Sequence, residues 1–119
     1  MKMGMLTDLP VRLKEEYLED PVAQALLRIL EQCNRHQGGS TVPLNAFLLS
    51  LYDGETWAPD MQLLCRRIDT EMLRDVMTAM AGYAATGRET HVYFVDGNRM
   101  FERIARQVRT RLAGRYCDE

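Results

Sequence analysis

The chain has 119 residues, 46% hydrophobic and 27% charged, with a formal net charge of −2. That length suits one domain with its own buried core, and the apolar content excludes a disordered chain. The near-neutral balance points to no strongly charged partner, and three widely spaced cysteines without a CxxC pair (Cys33, Cys65, Cys117) exclude a secreted disulfide scaffold.

Leu6, Leu9, Leu13 and Tyr17 recur at helical spacing, with Lys14, Glu15, Glu16 and Glu19 on the other side. This predicts an acidic N-terminal helix within residues 1–20. Asp20-Pro21 restarts the chain as an N-cap followed by a proline suited to the first helical position. A second helix follows through Val22, Leu26, Ile29, Leu30 and Cys33, and Gly38-Gly39 closes it. A third opens at Ser40-Thr41, with Leu44, Phe47, Leu48 and Leu51 as its stripe. Asp53-Gly54 stops it, and Glu55 to Asp60, with the only Trp, reads as a loop. Met61 to Ile68 has helical spacing over a short run. Asp69 caps the next helix, whose apolar face is read as Met72, Val76, Met77, Met80 and Tyr83 or Ala84, ending at Gly87. Residues 89–95 have β character but no partner strand, so they read as an extended linker. The last helix runs from about Asn98 to Ala113, and Gly114 ends it.

The pattern predicts an all-α protein: five to six short helices in one compact, orthogonal or bundle-like domain. Its parts are the N-terminal acidic helix (1–20), a helical core (21–113) and a tail (114–119). No apolar run of about 18 residues spans a membrane, and residues 1–6 lack the apolar stretch of a signal peptide, so a soluble, cytoplasmic protein is expected.

The sharpest chemical pattern lies in the last helix. Residues 97–116 hold six Arg and one acid, Glu102. At about 100° per residue, Arg99, Arg103 and Arg106 share a stripe flanked by Arg109, opposite Met100, Phe101, Ile104 and Val108. A row of guanidinium groups suits phosphates or an acidic protein surface, and equally a solvated helix face. Tyr52, Trp57 and Met61 form a candidate partner-binding patch, since Trp and Tyr are enriched at binding hot spots. Cys33 and His36 make half of a metal site with no second pair, and His91 near Asp96 lacks a nucleophile turn. No catalytic residue, metal, cofactor or small-molecule substrate is therefore assigned. The expected activity is non-enzymatic: binding of a protein partner or a second copy, with nucleic acid as the alternative.

The run Leu44-Asn45-Ala46-Phe47-Leu48-Leu49-Ser50-Leu51-Tyr52-Asp53-Gly54, then Ile68-Asp69, His91-Val92-Tyr93-Phe94 and Phe101-Glu102-Arg103-Ile104-Ala105, together resemble a family of small uncharacterised proteobacterial proteins carried on plasmids, phages and integrative elements. The resemblance covers roughly residues 22–112. It implies a bacterial, cytosolic accessory role and carries over no catalytic residue.

Overall fold

The computed structural model describes residues 11–35 and 39–117, with Arg35 and the last seven as backbone only. Five α-helices form among the described residues: α1 (Pro21–Arg35), α2 (Thr41–Tyr52), α3 (Met61–Arg67), α4 (Thr70–Thr86) and α5 (Gly97–Cys117). The same residues include two single 3-10 turns, Glu15–Tyr17 and Thr90–Tyr93. The protein is an all-α domain, and no helix among the described residues is long and apolar enough to cross a membrane.

Three of the helix starts, those of α1, α3 and α4, are set by side-chain caps. Asp20 Oδ1 accepts the amides of Val22 and Ala23 at 2.8 and 3.1 Å, and Pro21, which has no N–H to satisfy, takes the first helical position. Asp60 accepts from Leu63 N at 3.0 Å and Asp69 from Met72 N at 2.8 Å, starting α3 and α4. Gly87 ends α4 at φ 70°, in the left-handed region that costs glycine nothing.

Helix α2 is buried along most of its length. Leu44, Phe47, Leu48 and Leu49 are all within 3% of full burial. A helix apolar on so many sides must sit centrally: α2 packs on α1, α3, α5 and the Thr90–Tyr93 turn. Helix α1 makes its widest contact with α4. From α5, Met100, Phe101, Ile104 and Ala105 close the core.

Three expectations need correction. Residues 1–10 of the predicted N-terminal helix lie outside the described residues. Over 11–14 the chain is extended, and helical structure is limited to the Glu15–Tyr17 turn. Leu13 forms an antiparallel bridge with Phe94: Lys14 N donates to Tyr93 O and Val95 N to Arg12 O, each at 2.9 Å. The β character of residues 89–95 is thus used once, after the turn, and its partner comes from the N-terminal segment. Tyr17 then meets Tyr93 edge-on at 4.9 Å, with the Arg88 guanidinium over both rings. Burying Leu13 and Tyr17 against a distant segment replaces the local helical stripe.

The second correction concerns α4. Its inward residues are Asp75, Val76, Ala79 and Gly82, with Met72 partly buried, whereas Met77 and Met80 are 58% and 44% exposed. Small residues line the inner face because α1 runs so close to it: a Cβ placed on Gly82 would lie 2.4 Å from Val22 Cγ2. Asp75 is held by Arg28, whose Nε and Nη2 donate to the carboxylate at 2.9–3.2 Å. That bond, opposed by desolvation, raises the Arg28 pKa. The third correction is that α5 continues through Gly114 to Cys117. A glycine inside a helix costs about 1 kcal/mol relative to alanine, which weakens a helix without ending it.

Candidate functional site

The arginine stripe of α5 is distributed between solvent and intramolecular contacts. Arg99, Arg106 and Arg109 are exposed and Arg103 is half-buried. Arg109 stands over the Trp57 ring, 5.4 Å from its centroid. The loop after α2 is thereby tied to α5, and Trp57 is partly buried against the core.

Tyr52, at the end of α2, faces α5 as well. Its ring stacks on Phe101 at 5.1 Å and meets His91 edge-on at 5.3 Å. Its hydroxyl lies within hydrogen-bonding distance of Asn98 Oδ1 and donates to Glu102 Oε2 at 2.7 Å. Burial, then the hydrogen bond and negative charge of Glu102, then Asp53 and Glu89 push the phenol up to about 12. Met61 opens α3 and is 48% exposed. Of the three predicted patch residues, two are therefore drawn onto α5 and one stands in solvent.

His91 lines an open cleft of about 440 Å³ at the first turn of α5, together with Lys14, Asp96, Asn98 and Arg99. Its Nε2 is 3.8 Å from Glu89 Oε1, while Nδ1 is buried with no hydrogen-bond partner among the described residues. Gly97 permits this close approach of turn and helix: a Cβ there would fall 1.9 Å from the His91 carbonyl oxygen. Cys33 is buried, and burial raises its thiol to about 12, so it is a neutral core side chain at neutral pH. Its proposed metal partner, His36, lies outside the described residues. Among the described residues no group of three or more His, Cys, Asp or Glu is placed to hold a metal ion.

Two features escaped the sequence reading. Asn45 is 1% exposed inside α2, and neither amide atom has a hydrogen-bond partner among the described residues. A buried polar side chain embedded in an apolar run gives no periodic signal of its own. The other feature is the outer face of α4. Leu73, Met77 and Met80 are 36%, 58% and 44% exposed, and Ala81, Ala84 and Ala85 lie beside them in solvent. Asp75 is buried, so this helix exposes no charged side chain after Arg74. The signal was present as a four-three-four spacing of apolar residues, but periodicity does not say which of two apolar stripes is the inner one.

No curated protein matches this chain, and no solved structure does. A family model covers residues 23–109, from the first turn of α1 into α5, and so takes in every helix and both the Tyr52–Trp57 region and the arginine stripe. The chain belongs to that family, a family of unknown function designated DUF7673.

Proposed function

We propose that this protein is a non-enzymatic interaction module that docks another protein surface through the outer face of α4. The observation that carries this reading is the uncharged outer surface of α4 from Met77 to Ala85, with Met77 and Met80 roughly half exposed. Soluble domains seldom leave contiguous apolar surface in water without a use for it. Methionine suits such a face because its flexible thioether adapts to a partner. Two further observations support the same reading: His91, weighed as a catalytic group, packs edge-on against the Tyr52 ring, and Cys33, weighed as a metal ligand, is a buried neutral thiol. The family resemblance further supports a cytosolic accessory role in bacteria, on a mobile genetic element.

Photo-crosslinking in cells that naturally carry the protein tests this. A photo-reactive amino acid at Met77 is expected to give a discrete protein adduct, while the same group at exposed Gln62 on α3 is not. No adduct at Met77, or equal adducts at both positions, refutes the reading.

A second reading rests on a different observation, the exposed Arg99 and Arg106 on the helix whose Arg109 covers Trp57. Guanidinium groups beside an aromatic ring suit a nucleic-acid backbone and its bases. Fluorescence anisotropy with single-stranded and duplex DNA would show binding that falls steeply with salt and is lost in Arg99→Glu/Arg106→Glu. Absence of binding at low salt removes it.

A further inference from the structure

We propose that the occupant of the α4 face is α4 of a second copy of this chain, packed antiparallel about a two-fold axis in a reversible homodimer. This rests on the docking reading above and names the partner. Leu73, Met77, Met80 and Ala84 step along the helix at intervals of four, three and four residues, the alternation of a two-helix seam. All four are exposed, on the side turned away from α1.

The register follows from the side-chain sizes. With the two-fold axis at the level of Thr78 and Ala79, Leu73 of one copy meets Ala84 of the other, and Met77 meets Met80. Each layer then matches a large side chain with a small one or two flexible ones. Exposed Ala81 and Ala85 beside the seam let the helices approach to about 8 Å, the close end of helix packing.

Charge selects the antiparallel sense. The only exposed charged residues of α4 are Glu71 and Arg74, both in its first turns. A parallel pairing keeps the Glu71 and Arg74 charges of both copies at one end of the pair and aligns the two helix dipoles. The antiparallel pairing sends the like charges to opposite ends and opposes the dipoles. The central stretch carries no exposed charge to desolvate.

Size sets the strength. Helix α4 has 17 residues, a rod about 25 Å long. Two such rods bury less than the roughly 1,200 Å² of a tight complex, so association belongs to the weak, reversible class.

The test is sedimentation equilibrium of the full chain from about 5 to 500 μM, where mass action shows a weak dimer as rising mass. The expected result is a shift from monomer toward twice the chain mass. Met77→Glu/Met80→Glu places four carboxylates in the seam and weakens association at least about tenfold. Its circular dichroism spectrum should be unchanged, because both side chains lie largely outside the core. With Cys65 and Cys117 replaced by serine, Leu73→Cys/Ala84→Cys should oxidise to a covalent dimer faster than Leu73→Cys alone. Monomer mass across the whole range overturns the dimer, and so does equal cross-linking by Leu73→Cys alone. A monomer whose Met77 photo-adduct contains a different protein overturns the dimer only. A monomer with no adduct overturns the docking reading as well.

Discussion

Gly82→Ala is the most informative single perturbation of the fold, because two effects of opposite sign meet there. In an open helix the change stabilises by about 1 kcal/mol, since alanine loses less backbone entropy on becoming helical. At Gly82 the new methyl would lie 2.4, 2.8 and 3.1 Å from Val22 Cγ2, Cγ1 and Cβ, against about 3.5–4.0 Å for an ordinary carbon contact. Valine has essentially one rotamer in a helix, and both of its γ carbons crowd the position, so rotation exchanges one clash for another. The helices must separate instead, and overpacking of this kind costs about 1–3 kcal/mol. The net expectation is a loss of about 1 kcal/mol, or about 3–6 °C in Tm for a domain of this size. In a Val22→Ala background both γ carbons are gone, and the same Gly82→Ala change should stabilise by about 1 kcal/mol. The double-mutant cycle therefore carries a coupling of about 2 kcal/mol, with a change of sign. Urea unfolding followed by far-UV circular dichroism, at one protein concentration for all four proteins, measures it. Stabilisation by Gly82→Ala in the unmodified chain, with no coupling to Val22, would refute the close α1–α4 packing.

Four further outcomes follow from the contacts. Gly97→Ala sets a methyl 1.9 Å from the His91 carbonyl oxygen, an atom of backbone that cannot rotate away; about 2–3 kcal/mol of stability should be lost in thermal unfolding. Asn45→Leu replaces a buried amide without a hydrogen-bond partner among the described residues, and should raise stability by about 1 kcal/mol in urea titrations. For the Arg28–Asp75 pair, the side chains are 55% and 12% exposed, so removing either partner is not equivalent. Arg28→Ala strands a buried carboxylate and should cost more than Asp75→Ala, which leaves a guanidinium free to hydrate; the difference is expected to be about 1 kcal/mol. Finally, Cys33 and Tyr52 have pKa values raised to about 12 in the folded protein. A raised pKa means that the folded state holds the proton more tightly. Their contribution is complete below the ordinary thiol and phenol values and is lost as pH climbs from about 9 to about 12. Alkaline titration of the unfolding midpoint should show that fall, and a thiol reagent at neutral pH should label exposed Cys65 while leaving Cys33 unreacted until denaturant is added.

The parts of the fold that were legible in sequence are those fixed by neighbours in the chain. Asp20-Pro21, Asp69 and Gly87 act on amides and carbonyls within four residues, so their chemistry reads directly as helix ends. The buried stripe of α2 was equally plain: Leu44, Phe47 and Leu48 read as its inner face and are buried, whereas its central place among the other helices was not legible. Where the reading failed, a distant segment decided the outcome. Leu13 and Tyr17 were correctly marked as apolar anchors, but Phe94 and Tyr93 supply what they bury against, and those contacts require an extended chain. In α4 the approach of Val22 selects Ala79 and Gly82 as the inner face and turns the larger Met77 and Met80 outward. Side-chain volume, set by a helix some sixty residues away in sequence, overrides hydrophobicity there.

That inversion bears on the choice between candidate surfaces. Tyr52 and Trp57 have the residue types of a binding hot spot, yet stacking on Phe101, the bond to Glu102 and the cover from Arg109 already use their faces within the chain. Their aromatic area therefore holds α2 and its loop onto α5. Met77 and Met80 are weaker anchors by type, but they make no comparable claim on the core, and no charged group stands between them and a partner. Had the larger side chains packed inward, α1 and α4 would have been held further apart and the outer face left to Ala79 and Gly82, too smooth to grip another helix. The small inner face and the adaptable outer face are two consequences of one packing decision. Gly82 and Met77 should accordingly separate cleanly by experiment, with substitutions at Gly82 moving stability and substitutions at Met77 moving association.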